Sequence, residues 1–160
     1  ISIMSELRTN RIVPRDGLTS GAYGGIIQVK YANNTTVQTI ATTTYTDTGL
    51  AVTITPTRAD SAVLLMISLN SNGGGTNRLK LRLIRTVGGS DTTVFEVGEA
   101  LVDYGTSNIH VQGIGTNYVD TPSTTSAVTY KVQFAGSNGS GNISVNNNGR
   151  SDIVAMEISG

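Results

Sequence analysis

Apolar and polar residues alternate one by one in several short segments of this chain. A side-chain period of two places the two sets on opposite faces of a β-strand. The apolar positions of the three clearest segments are Val52 and Ile54; Leu79, Leu81 and Leu83; and Val128, Tyr130, Val132 and Phe134. Each segment therefore predicts an antiparallel strand with one buried face and one wet face.

Two further segments are apolar on both faces. Residues 62–69 read AVLLMISL, which predicts a strand that is covered on both sides or lies at a subunit interface. Near the end of the chain, Ile153 and either Ala155 or Glu157 are expected on one face. Val154, Met156 and Ile158 are expected on the other.

Clusters of Gly, Asn and Ser separate these segments, as in 72–75, 88–91, 136–141 and 146–149. Such residues favour turns, and no segment shows a sustained helical period with caps. About eight or nine short strands with turns at this spacing are typical of a β-sandwich. We therefore predict an all-β fold, an antiparallel β-sandwich of the jelly-roll kind.

The first 25 residues have a different composition. Residues 5–18 mix Arg and acidic residues with Pro14, and a Gly-rich stretch follows them. We predict an irregular N-terminal arm and hinge at 1–25 and a β-sandwich body at 26–160. The arm residues expected to dock on another protein are Leu7, Arg8, Arg11, Ile12 and Val13.

The charge and the length of the apolar runs argue against a nucleic-acid partner and against insertion into a membrane. Eleven basic and eleven acidic residues give a net charge of zero, so no nucleic-acid partner is predicted. No apolar run approaches the ~20 residues that span a bilayer, so no membrane insertion is predicted. A neutral chain also lacks the self-repulsion that keeps copies apart, which favours association.

Candidate chemistry is sparse. The chain has no cysteine and one histidine, His110, which we interpret as a polar strand residue. Glu96 and Glu99 lie three residues apart, a spacing that fixes no glycosidase geometry. We predict no enzyme activity, no catalytic or metal-binding residues and no cofactor. Arg78, Lys80, Arg82 and Arg85 form a basic stripe, interpreted as a solvated face or a set of ion pairs.

An ordered set of segments carries a resemblance to a known group. They are SELRTNRIVPRDGL at 5–18, GGIIQV at 24–29, TGLAVTITPTRADSAVLLMIS at 48–68 and AMEI at 155–158. Together they resemble small tail-fibre-like or virion structural proteins of tailed bacteriophages, notably phages of cyanobacteria and other aquatic bacteria. The resemblance implies a location in the virion, a homotrimer and contacts with other tail or capsid proteins.

Two roles stay open. The first is a trimeric tail-fibre or spike tip, or an adaptor, that attaches to a host-surface glycan through polar loops. The candidate receptor-facing residues of those loops are Asn72, Asn77, Ser90, Asp91 and Asn138. The alternative is a trimeric capsid decoration protein whose arm clamps neighbouring capsid subunits.

Overall fold

The computed structural model describes residues 25–73, 76–103, 110–147 and 149–159. The predicted arm, with Leu7, Arg8, Arg11, Ile12 and Val13, lies outside these residues. The regular structure of the described part consists of strands. They are β1 (Ile26–Asn34), β2 (Gln38–Ile40), β3 (Thr46–Ile54), β4 (Ala62–Gly73), β5 (Arg78–Val87), β6 (Ser90–Asp103), β7 (His110–Asp120), β8 (Val128–Gly136), β9 (Ile143–Val145) and β10 (Ser151–Ile158).

Eight of these strands form two antiparallel sheets that pack face to face. The first sheet has the order β1-β10-β4-β7, and the short strands β9 and β2 continue it beside the far end of β4. The second sheet has the order β3-β8-β5-β6. Two interleaved four-stranded sheets with this order make a jelly roll. The predicted all-β antiparallel sandwich is confirmed.

The core lies between the sheets and is built by the alternation seen in the sequence. Tyr130, Val132 and Phe134 of β8 are fully buried, as are Leu79, Leu81 and Leu83 of β5. The first sheet contributes Val63, Leu65, Ile67 and Leu69 from β4 and Ile153 and Ala155 from β10. Each set faces inward because the residues lie two apart along their strands.

At each edge of the sandwich a different kind of contact joins the two sheets. Beside β1 and β3, the Asn34 Nδ2 donates to the Thr48 carbonyl over 3.0 Å. Gly49 has φ +75°, and a β-carbon there would overlap Asn34 Nδ2. Beside β6 and β7, the Phe95 and Tyr118 rings lie 5.6 Å apart. A hydrogen bond therefore joins the two sheets at one edge, and an aromatic pair joins them at the other.

Candidate functional site

The outer face of the first sheet is apolar over most of β1, β10 and the first half of β4. We call this set the apolar face, and its members point away from the core. They are Ile26, Val29, Tyr31, Ala62, Leu64, Met66, Val119, Val154, Met156 and Ile158.

Strand register places these side chains in rows across the sheet. One row joins Val29 to Met156, Met156 to Leu64 and Leu64 to Val119. The next row joins Tyr31 to Val154 and Val154 to Met66, and it ends at Asn117. Directly paired side chains on one face lie within contact distance of each other. The rows therefore make one continuous patch.

Solvent reaches much of this patch. The exposed fractions are 60% for Ile26, 53% for Val29, 51% for Tyr31, 43% for Met66 and 55% for Val119. Four strands ~4.8 Å apart and about 20 Å of strand length give a footprint on the order of 400 Å². That is comparable to the largest apolar patch of a typical monomer, which is often functional.

The charge at the border of the apolar face is paired. Asp152 of β10 accepts a hydrogen bond from the Tyr31 hydroxyl at 2.5 Å, and Arg150 Nε lies 2.9 Å from the same carboxylate. The cross-strand row that contains Asp152 is otherwise polar or small, with Asn33, Ser68 and Gly115. The patch thus combines a neutral interior with a rim that can form hydrogen bonds.

The outer face of the second sheet, which we call the polar face, has the opposite character. Its side chains pair with one another: Lys131 with Asp91 over 2.8 Å, Thr53 with Thr129 over 2.8 Å, and Arg82 with Gln133 over 2.7 Å. Polar groups that are satisfied within the chain leave little need for a partner.

Tyr45 covers one end of the polar face. The Arg82 guanidinium lies 4.3 Å from its ring centroid, and its hydroxyl donates to Glu96 over 3.1 Å. Burial and the Glu96 carboxylate raise the pKa of Tyr45 to about 12. Glu96 therefore serves as the acceptor of a tyrosine. The side chain of Glu99 lies outside the described part of the structure.

The predicted basic stripe needs one correction. Arg82 and Lys80 lie on the polar face beside Tyr45, but Arg85 pairs with Tyr130 across the β5–β8 ladder and shares its inward direction. The reason is parity, because position 85 lies an odd number of residues from 78, 80 and 82. Arg85 Nη1 lies 3.0 Å from Asp120 of β7, a 5%-exposed residue.

Among the described side chains, two carboxylates lie inside the sandwich, and both are held by protein groups. Asp120 accepts from Arg85 and, over 2.8 Å, from the Tyr130 hydroxyl; burial, then this bond, raises the pKa of Tyr130. Glu157 accepts from Gln28 Nε2 at 2.6 Å and from the Thr57 amide at 2.7 Å. Burial raises the pKa of Glu157, but these hydrogen bonds outweigh it and lower the value to about 2. Both carboxylates join separate segments of the fold.

The candidate receptor residues fall into different environments. Asn77 is fully buried: its Nδ2 donates to the Gly141 carbonyl over 3.0 Å and its Oδ1 accepts from the Asn138 amide over 3.1 Å. Its assignment to a receptor-facing surface was wrong, since a buried amide that fixes a loop cannot face a receptor. Asn72 lies within β4 and is half-buried, paired in register with Ser144.

The remaining candidates lie at opposite ends of the sandwich. Ser90 and Asp91 are exposed beside the turn that follows Val87, the last residue of β5. Asn138 is half-buried in the loop after β8, whose Gly136 pairs with Leu79 near the start of β5. A ten-residue strand is ~33 Å long, so these residues do not form one binding surface.

Other sequence candidates add little. His110 is the first residue of β7, and its side chain lies outside the described part. Within the described ranges, no group of three His, Asp or Glu side chains could hold a metal ion. The same ranges contain no helix long and apolar enough to cross a membrane.

Comparison with known proteins gives only distant structural likeness. No family model and no curated protein matches the chain. The structure of the Gx strain of infectious bursal disease virus aligns at 14% identity, with a TM-score of 0.45, over 82% of this chain and 38% of that chain. The VP2 subviral particle of the same virus aligns at 11% identity, with a TM-score of 0.40, over 91% and 44%. This chain thus spans less than half of either protein.

Proposed function

We propose that this chain is a non-enzymatic structural protein of a virion and that it works by assembly through the apolar face. The observation that carries the proposal is the contrast between the two outer faces. One exposes Val29, Tyr31 and Met66, whereas the other pairs its polar groups internally. An exposed apolar face suits a contact with protein, and the sequence resemblance to phage virion proteins supports a location in the virion.

The finer role has two candidates, and the described aromatic residues favour the decoration protein over the host-binding tip. Sugar recognition commonly uses exposed aromatic rings. Tyr130 and Phe134 are buried, Phe95 packs on Tyr118, and Arg82 covers Tyr45. Tyr31 is exposed, but it belongs to the apolar face and its hydroxyl is bound to Asp152.

The attachment role keeps a defined candidate surface at Ser90 and Asp91. Because Asp91 already accepts from Thr86 and Lys131, a glycan hydroxyl would compete with these internal bonds. The predicted arm would serve either role by ordering on a neighbouring capsid or tail protein.

Electron cryomicroscopy of particles produced by the virus that encodes this chain tests the proposal. Density for a jelly roll on the capsid shell supports decoration, and density at the end of a tail fibre supports attachment. Particles that contain no copy of the chain, by mass spectrometry as well as in the map, would contradict a virion role.

A further inference from the structure

The apolar face is the strongest unexplained feature of the described surface, and three kinds of partner could cover it. They are a second copy of this chain, residues 1–24 of the same chain, and a different protein. The choice depends on charge, on area and on what else the described surface offers.

Charge favours a partner as neutral as the face itself. Among the described side chains of the apolar face, none carries a charge, and Asp152 at its border is neutralised by Arg150. A basic or acidic partner would therefore find no complement here. The whole chain has eleven basic and eleven acidic residues, so two copies do not repel each other.

The described surface also limits what can meet the face. Of the seven large apolar residues that are exposed in the described part, five belong to the apolar face; Ile27 adjoins it and Val37 lies apart. Burial of an apolar surface is most favourable against another apolar surface, because both are then removed from water. The described residues offer one apolar surface of this size, so the surface that matches it is the same face on a second copy of the chain.

Area is consistent with this pairing. The apolar centre covers on the order of 400 Å², and the polar rim extends it toward the roughly 800 Å² that each partner contributes to a standard interface. Apolar centres surrounded by polar rims are the usual anatomy of such interfaces. Two sheets can pack face to face about 10 Å apart, and three such faces can surround a three-fold axis.

We infer that the outer face of the β1-β10-β4-β7 sheet is the contact through which this chain binds a second copy of itself, with Leu64, Met66, Val154 and Met156 at its centre. This inference rests on the proposed function and specifies its partner. Tyr31 and Asp152 form the adjoining rim.

Light scattering and sedimentation of the full purified chain test the contact. Wild-type protein at ~100 μM should have at least twice the 16.7 kDa mass of one chain. Met66→Lys places an ammonium group at the centre of the face and should weaken association at least ~10-fold, because a charge would be buried without a partner. Thr53→Lys, on the exposed polar face, is the matched control and should leave the mass unchanged. Circular dichroism checks that both variants are folded.

Single cysteines give a second readout, since the chain has none of its own. Under mild oxidation, Met66→Cys should form a disulfide between copies, and Thr53→Cys should not. A monomeric wild type would overturn the inference, and the reactivity of the Met66→Cys thiol would then distinguish two other occupants of the face. A Met66→Cys thiol shielded from a soluble thiol reagent would indicate cover by the chain's own segment, and a fast-reacting thiol would indicate a face open to another protein.

Failure of this contact is distinguishable from failure of the virion role. A monomer in solution that is nevertheless present in purified particles would overturn the self-contact alone. An oligomer that survives Met66→Lys at unchanged strength would also overturn it, since the contact would then lie elsewhere.

Discussion

Arg85 of the second sheet and Asp120 of the first are joined by an ion pair of 3.0 Å inside the sandwich. The pair connects the end of β7 to β5, and the Tyr130 hydroxyl binds the same carboxylate. Its position explains why an arginine lies at an inward position of an otherwise leucine-rich strand: it neutralises a carboxylate that water barely reaches.

Removal of Asp120 should destabilise the fold strongly. Asp120→Ala leaves the Arg85 guanidinium partly buried without its partner, and we expect a loss of about 3–5 kcal/mol in the free energy of unfolding. Urea denaturation followed by circular dichroism measures it. Asp91→Ala, which removes an exposed partner of Lys131, is the control and should show no measurable change. Equal losses in both variants would contradict the structural role of the interior pair.

The centre of the core should be sensitive to truncation at Phe134. This side chain is fully buried, and Phe134→Ala should cost about 3–5 kcal/mol through lost burial and the cavity that remains. Thermal unfolding of this variant beside Thr53→Ala, an exposed position, gives the comparison. A loss below ~1 kcal/mol would mean that the cavity collapses or that β8 faces the other way.

The free energy of unfolding should fall at acidic pH, in part because Glu157 becomes protonated. The folded pKa of about 2 lies below the ordinary value of 4.5, so the carboxylate stabilises the fold above pH 4.5. This contribution is lost as the pH falls from 4.5 towards 2. Glu157→Gln should cost about 1–3 kcal/mol at pH 7 because charged hydrogen bonds are lost. The difference in the urea unfolding midpoint between the variant and the wild type should become smaller below pH 4. A gap independent of pH would rule out this carboxylate as the titrating group.

Asn77 should act as a structural residue. Asn77→Ala leaves the Asn138 amide and the Gly141 carbonyl without their partner, and we expect a loss of about 1–3 kcal/mol. Ser90→Ala, at an exposed position, should leave stability unchanged and serves as the comparison in the same unfolding assay. Weaker host adsorption by Asn77→Ala at full stability would instead restore the receptor role.

The strands of the core could be predicted from the sequence because a period of two is local information. The inward residues of β8 and β5 are those that alternate with Thr, Lys, Gln and Arg. The same rule assigned Val154, Met156 and Ile158 to one face, and both Ala155 and Glu157 lie with Ile153 on the other. Glu157 faces inward because hydrogen bonds from Gln28 and Thr57, distant along the chain, satisfy it.

Tertiary structure alone decided which sequence features became surface. The double apolar character of 62–69 predicted a second covered face, but only the pairing of β4 with β10, and of β10 with β1, assembles one patch from residues more than 120 positions apart. Likewise, Asn77 was expected in an exposed loop, but the loop that follows β8 covers it and its side chain is buried. Alternation along one strand fixes the direction of each side chain, whereas the neighbours it meets depend on strand order, which no local pattern encodes.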